Sequence, residues 1–459
     1  MESKSPVSEG NTTAVQLEEG DVEELTIAQL EDEHVESFAS RIKYVLVKFT
    51  PIAIIAFGGP TAHIHLLRER FVRDLKMVDD TLFMELFGLS QALPGPSATK
   101  LVIALGMLKA GVPGGLLAFV VWSLPGYIVL TTMGMISGAF GDDGTQPDWM
   151  AGIAPAASSQ VFFATWQLGK NYVDSRVKIF VAVLAAVIVT FVLSDERIDM
   201  QLGSISFPVV LLIGAVICLM DASRGPERLA VYWKPPSGQG NKALQHLHVS
   251  RKFGVICVTV WITVLVLLIV LKSQGVFDDI KPAALLESMY RIGSIIYGGG
   301  QVVLPMLQNE NLTTTNQFFQ GMALAQMLPG PLFNLSSFLG SIYVGFGGSI
   351  IGVVAINLPG ILLTFGLMPF WSSLQTYPRF KICIVGVSSA SIGLLLFTCI
   401  QLFEASVHTA ADAVVFLVAG SMTGGFNVPV PISILTGALL GFAFSPSAIG
   451  LGQDLYCMA

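Results

Sequence analysis

Apolar residues run for long distances along this chain, and the charges that interrupt them fall at regular places. Residues 253–271 carry no charge and almost no polar group. Residues 311–378 and 413–453 contain no Asp, Glu, Lys or Arg. A run of about 18 such residues is long enough to cross a bilayer as a helix. The pattern predicts ordinary spans over residues 116–138, 151–168, 178–194, 206–220, 254–271, 350–370, 382–403, 412–426 and 428–445. Four other apolar stretches are cut near their middles by Gly and Pro. Residues 43–72 are cut at Phe57-Gly58-Gly59-Pro60 and residues 82–108 at Pro94-Gly95-Pro96. Residues 286–305 are cut at Tyr297-Gly298-Gly299-Gly300 and residues 318–343 at Pro329-Gly330-Pro331. Glycine adds backbone freedom, while proline removes a donor and clashes with the preceding turn, so each cut predicts a pair of half-helices. In a bilayer the freed polar groups must be met by protein or by a water-filled cavity. The expected fold class is all-α and polytopic, with about 13 membrane segments.

The cuts come in matched pairs. Gln91-Ala92-Leu93-Pro94-Gly95-Pro96 answers Gln326-Met327-Leu328-Pro329-Gly330-Pro331, and Leu124-Pro125-Gly126 answers Leu358-Pro359-Gly360. The offsets of the three pairs, starting with Gly58 and Gly298, are 240, 235 and 234 residues. Two homologous halves therefore carry one punctuation in one order. Charges give the orientation, because basic loops stay in the cytoplasm. Arg41, Lys43 and Lys48 precede the first cut, and Arg68, Arg70, Arg73 and Lys76 follow it. Asp142, Asp143 and Asp148 mark an outer loop, and Lys170, Arg176 and Lys178 an inner one. Five full spans separate the two copies if the broken elements are re-entrant, and seven segments if each crosses. Both numbers are odd, so the expected architecture is an inverted-topology repeat. Paired broken helices at matching places in two halves point to the binding site of a secondary transporter.

Composition adds boundaries to this picture. The chain of 459 residues is 53% hydrophobic and 12% charged, with a mean hydropathy of +0.69. Soluble domains carry about 25% charge. Its net charge of −7 divides unevenly, since residues 1–40 hold 11 acids and only Lys4 as a base. That segment reads as an acidic disordered tail. The expected organisation continues with a first transporter repeat over 41–220 and a basic cytoplasmic linker over 221–252. A connecting span and outer loop cover 253–285. A second repeat covers 286–445, and a C-terminal tail covers 446–459. The cysteines Cys218, Cys257, Cys383, Cys399 and Cys457 are scattered, and no two have metal or redox spacing, so no metal site is expected. His-Glu-x-x-His, Gly-x-Ser-x-Gly and Gly-x-Gly-Asp are absent from the sequence, and doubled cuts serve no single catalytic centre. The expectation is a protein that is not an enzyme and needs no cofactor.

These motifs also carry a resemblance. Phe57-Gly58-Gly59-Pro60-x-Ala62-His63-Ile64, the paired Gln-x-Leu-Pro-Gly-Pro, Ala104-Leu105-Gly106 and Gly298-Gly299-Gly300-Gln301-Val302-Val303-Leu304-Pro305 resemble the chromate ion transporter family in its long, two-domain fused form. The resemblance spans residues 44–445. It implies export of chromate, with sulfate as the related tetrahedral dianion. Lys100 and Gln301 depart from the family pattern, which commonly has a neutral polar residue and a His there.

Such an anion needs fixed donors and positive potential, which half-helix N-termini supply. New half-helices are expected at Pro60, Pro96, Gly300 and Pro331. The substrate-binding candidates are Gly58, Gly59, His63, Gln91, Gly95, Ser97, Thr99, Lys100, Gly299, Gly300, Gln301, Gln326, Gly330, Asn334 and Ser336. For the polar ones the alternative is local capping or helix-to-helix bonding. Lys100 is either an intramembrane functional charge or a snorkelling side chain. His63 and Glu85 are the proton-coupling candidates. Arg68, Arg70 and Arg73 either draw anions to the cytoplasmic mouth or simply mark the inside. Expected partners are a chromate- or sulfate-like oxyanion and the lipid bilayer, with no nucleic acid; a homodimer is left open. The expected location is the plasma membrane. The competing reading is a transporter or channel for another small anion such as sulfate.

Overall fold

The computed structural model describes residues 37–57, 59–140, 152–194, 200–232, 250–277, 279–297, 300–374 and 376–444. Most of the expected acidic tail, half of the basic linker and the C-terminal tail lie outside the described residues. All regular structure among the described residues is helical.

The first half opens with α1 (Phe38–Ile55), which begins three residues inside the expected tail because Ser37 Oγ accepts the Ser40 N–H at 3.2 Å. After the first cut comes α2 (Gly59–Arg68), which runs into a π-helical turn, Glu69–Asp74. Next come α3 (Asp80–Ala92) and α4 (Ser97–Phe140). Helix α4 is not one rod. Its backbone leaves helical geometry at Ala110 and Gly111, where Gly111 has φ +65°, and folds back into arms 97–109 and 112–140. A Cβ added at Gly106 would lie 2.5 Å from the Gly114 carbonyl, so only glycines allow the arms to pack this closely. The half continues as α5 (Ile153–Tyr172), α6 (Arg176–Ser194), α7 (Met200–Ala222) and the short α8 (Pro226–Tyr232). A connecting helix, α9 (Arg251–Ser273), follows, its start capped by Ser250 Oγ accepting the Phe253 N–H.

The second half repeats the order. It comprises α10 (Lys281–Ile295), a 3-10 turn Gly300–Val302, α11 (Val303–Asn309) and α12 (Thr315–Met327), which starts on a Thr314–Gln317 capping box. Then come a 3-10 turn Leu332–Asn334, α13 (Leu335–Val344) and α14 (Phe346–Leu367). Gly345 has φ +90° between α13 and α14, and a Cβ at Gly340 would meet the Gly348 carbonyl at 2.2 Å. This is the α4 fold-back again, 234 residues on. Last are α15 (Pro378–Ser406), α16 (Ala410–Gly424) and α17 (Val430–Ala443).

The broken elements return to the side they enter from. Arg68 at the end of α2 bonds Asp80 at the start of α3 at 2.6 Å, and the Lys109 ammonium lies 4.5 Å from the Tyr44 ring near the start of α1. The rings of Phe49 in α1 and Phe71 past the end of α2 lie 4.5 Å apart, so the two arms of the first broken element lie side by side and these outer ends fall on one side. In the second half Lys281, at the start of α10, lies 5.5 Å from the ring of Tyr343, near the end of α13. Helix packing exchanges the halves: α5 packs on α12, α16 and α17, while α15 packs on α3, α6 and α7. The second arm of α4, with α13 and α14, fills the centre. Helices α6, α7, α9, α16 and α17 turn Phe191, Leu212, Val266, Leu417 and Leu439 outward, as a lipid-facing surface requires. Four helical stretches among the described residues are long and apolar enough to cross a membrane: Ser97–Gly138, Arg251–Ser273, Phe346–Phe370 and Pro378–Ser406. The fold-back in α4 divides the first of these. Expected spans 412–426 and 428–445 are shorter, as α16 and α17 have 15 and 14 residues. About 21–23 Å of helix falls below the ~30 Å hydrocarbon core.

Candidate functional site

The cuts from the two halves meet. The Gly95 N–H donates to the Ile296 carbonyl at 2.8 Å, and the Gly330 N–H donates to the Ala56 carbonyl at 3.0 Å. Each Pro-Gly-Pro cut of one half is therefore tied to the first cut of the other. Gly95 and Gly330 have φ +98° and +103°, a left-handed backbone that costs a side-chain-bearing residue about 1–2 kcal/mol. The third punctuation closes the crossing. A Cβ at Gly360 would sit 3.3 Å from the Pro94 carbonyl, and one at Gly126 would sit 2.9 Å from the Pro329 carbonyl. These contacts come in pairs that exchange the halves, the signature of a two-fold relation.

Beside the crossing lies a cavity of about 440 Å³. The first turns of two half-helices form part of its wall: Ala62 and His63 of α2, and Ser97, Ala98 and Thr99 of α4. Gln301 of the 3-10 turn, Gln326 of α12 and Gly330 complete the side toward the second half. The structure thus brings together His63, Ser97, Thr99, Gln301, Gln326 and Gly330 from the sequence candidates. The His63 Nε2–H donates to the Ala56 carbonyl at 2.9 Å, and its ring meets Trp122 edge-on at 5.1 Å. First-turn N–H groups have no acceptor within their own helix, which leaves those of Ser97, Ala98 and Thr99 for the cavity side. Gly95 borders this crossing, but its N–H is spent on Ile296.

Other candidates stand apart. Lys100 is 1% exposed, neither snorkelling nor lining the cavity; its ammonium donates to the Leu93 carbonyl, and its stem packs on Gly360. Asn334 is buried and donates to the Ser123 carbonyl at 2.8 Å, which ties α13 to the second arm of α4. Ser336 Oγ donates to the Phe333 carbonyl three residues back, a local cap. Gly58, Gly298 and Gly299 lie outside the described residues, and for Gly59 and Gly300 the helical backbone alone is described.

A second cavity of about 610 Å³ lies along α3 and α15. Asp80, Glu85, Gln91, Tyr172, Lys178 and Lys381 line it. A hydrogen-bonded chain runs from one cavity to the other. Ser97 Oγ donates to Gln91 Oε1 at 2.9 Å, and Gln91 Nε2 donates to the Tyr172 hydroxyl at 2.8 Å. Lys178 pairs with Asp174 at 2.6 Å. Tyr232 donates to Asp221 at 2.8 Å; burial first, then that bond, pushes its phenol above the usual range. The cluster Arg68, Arg70 and Arg73 does not present free charge. Each is paired, with Asp80, Asp74 and Glu69 respectively. The hydrogen bond from Arg68 holds the Asp80 carboxyl below its ordinary value.

Gln160, Gln167, Thr423 and Asn427 also line the central cavity, and sequence reasoning missed them. A signal was present: Ser158-Ser159-Gln160 is a polar run inside the span expected over 151–168. Thr423 and Asn427 carry no such signal. They reach the cavity because α16 and α17 pack on α5, with Gln160 Nε2 donating to the Ala419 carbonyl at 3.2 Å.

The family description "Chromate transporter" matches residues 44–219 and 283–442, one match on each half. The chain belongs to the chromate transporter family. Among its relatives, a probable chromate transport protein of Synechococcus elongatus is 22% identical over 88% of this chain and 96% of its own length. Chromate transport proteins of Cupriavidus metallidurans and Pseudomonas aeruginosa are each 23% identical. They cover 88% and 79% of this chain, and 94% and 82% of their own lengths. No solved structure matches the chain. Like the family, the protein is a multi-pass helical membrane protein. Its two matched regions contain the two sets of cuts that meet at the cavity.

Proposed function

We propose that the protein is a secondary transporter that exports chromate across the plasma membrane, with the central cavity as its substrate site. One observation carries this reading: half-helix starts from α2 and α4, with carboxamides from the other half, enclose a cavity where the re-entrant elements cross. Helix N-termini favour anions through free N–H groups and the aligned peptide dipoles. The named function of the relatives supplies the anion. Five long segments separate the first re-entrant set from the second, namely 112–140, α5, α6, α7 and α9. That odd number supports opposite entry and an inverted repeat, the architecture in which one site is offered to each side in turn. Sulfate, of the same shape and charge, is the natural competitor.

Direction follows from charge. A cell negative inside pushes anions out by about 2.3 kcal/mol per charge per 100 mV. Radiochromate efflux from proteoliposomes, against an imposed potassium potential at equal pH on both sides, tests the reading. Saturable efflux accelerated by an inside-negative potential is expected. A rate indifferent to potential but steep in a pH gradient would favour electroneutral proton exchange, with His63 and Glu85 as the first carriers to replace.

A further inference from the structure

The loop that joins α16 to α17 reaches the central cavity with a single polar side chain. It reads Gly424-Gly425-Phe426-Asn427-Val428-Pro429-Val430-Pro431-Ile432, and Asn427 is its one hydrogen-bonding side chain. Neither this loop nor α17 carries a charge, and Asp412 lies in the first turn of α16, at the far end of the pair. With 15 and 14 residues the two helices are too short to cross the hydrocarbon core, so their uncharged loop stays at membrane depth. Irregular backbone is tolerated at that depth where it lines a cavity, and Asn427, Val428, Pro429 and Val430 do so.

The backbone of this loop is fixed from within. The Gly425 N–H donates to the Ser421 carbonyl at 2.7 Å, and the Val428 N–H donates to the Met422 carbonyl at 2.9 Å. Thr423 and Ser433, the nearest polar side chains on either side, bond each other at 2.8 Å. Asn427 stands between them at φ +55°, a left-handed backbone that asparagine tolerates better than most residues. Helix ending alone would be served better by glycine. What asparagine adds is its amide. The Asn427 side chain is exposed, and it makes no hydrogen bond among the described residues. Other donors on the wall are already taken. His63 donates to the Ala56 carbonyl, the Ser97 hydroxyl to Gln91 and the Gln160 amide to the Ala419 carbonyl. Gln326 Nε2 faces the Ala157 carbonyl at 3.4 Å.

A tetrahedral oxyanion turns acceptor oxygens in four directions, so donors from one wall leave part of it unmet. The first-turn N–H groups of α4 come from the first half. Asn427 comes from the second. We propose that Asn427 is a substrate-binding residue, whose Nδ2–H donates to one oxygen of the anion while other oxygens accept from the first turn of α4. The assignment rests on the reading of this cavity as the anion site, and it deepens that reading by naming a contact from the other half. Chromate and sulfate present the same set of acceptors, so the amide serves both.

The test is binding of chromate and of sulfate to the full-length protein in nanodiscs, with the melting temperature measured beside it. Asn427→Gly removes the amide and keeps the left-handed backbone, so its melting temperature should stay close to that of the wild type. Its dissociation constants for both anions should rise about ten- to hundredfold, the loss of one hydrogen bond to a charged group. Asn427→Asp also tolerates this backbone. It puts a negative charge where the donor was, and should bind more weakly still. Asn311→Gly is the control, since Asn311 has φ +51° and lies away from the cavity; it should bind as the wild type does. Wild-type affinity in Asn427→Gly would overturn the assignment and leave Asn427 as a helix terminator, with chromate transport standing. So would equal losses in Asn427→Gly and Asn311→Gly. If Asn427→Gly fails to fold, Asn427→Asp decides, and wild-type affinity in it overturns the assignment. Absence of chromate and sulfate binding in the wild type would instead overturn the transport reading, and this assignment with it.

Discussion

Single side chains in this protein do their work by closing polar accounts that the bilayer would otherwise leave open. Glu287 is fully buried, yet it holds Arg291 at 2.6 Å and Lys272 at 2.8 Å, and Arg291 reaches on to Glu310 at 2.8 Å. Removing one partner leaves an uncompensated buried charge, a loss of about 3–5 kcal/mol. Arg291→Met should therefore lower the thermal unfolding midpoint in detergent far more than Arg379→Met, whose side chain has no such network among the described residues. Lys100 presents a smaller version of the problem. Its ammonium caps the carbonyl that ends α3, so Lys100→Met should cost about 1–3 kcal/mol of stability while leaving the cavity lining in place. A loss of chromate affinity out of proportion to that destabilisation would assign Lys100 an electrostatic role at the site.

At the scale of elements, the half-helices are held at their cuts by backbone, not side chains. Gly95 and Gly330 combine a left-handed φ with a donated N–H to the opposite half. Gly95→Ala and Gly330→Ala should each lose about 1–2 kcal/mol through the backbone alone and also shift the crossing. Gly225, with open space around it, is the control, and Gly225→Ala should be neutral. Efflux measured beside melting temperature separates the effects. Equal transport by Gly95→Ala and Gly225→Ala would show that the reciprocal bonds do not shape the site. The cuts themselves were legible in the sequence, because adjacent Gly and Pro interrupt a helix wherever they fall, even in the middle of an apolar run. So was the break at Gly111, which falls between the elements expected over 82–108 and 116–138.

For the whole molecule, the relation between the halves makes the plainest prediction. Single cysteines in place of Ser223, beyond α7, and Asn316, at the start of α12, both stand on exposed positions. In a cysteine-free background they should react with impermeant reagents from opposite faces of oriented vesicles. Labelling of both from one face would remove the inverted repeat and the alternating-access reading with it.

The sequence by itself determined the helical membrane class, the doubled cuts and the family, because apolar run length, loop charge and Gly-Pro punctuation are local properties that each segment carries unaided. It also pointed to His63, Ser97, Thr99, Gln301 and Gln326, all next to cuts. Only the tertiary structure decided which of the candidates share one cavity. Lys100 lies next to Thr99 in sequence but turns behind the wall to reach Leu93, while Gln91 faces a different cavity from its counterpart Gln326. Gln160 entered the site because α5 packs against the other half's helices, a long-range exchange that no local pattern records. Side-chain direction at a helix crossing depends on which neighbour arrives there, and that neighbour comes from hundreds of residues away.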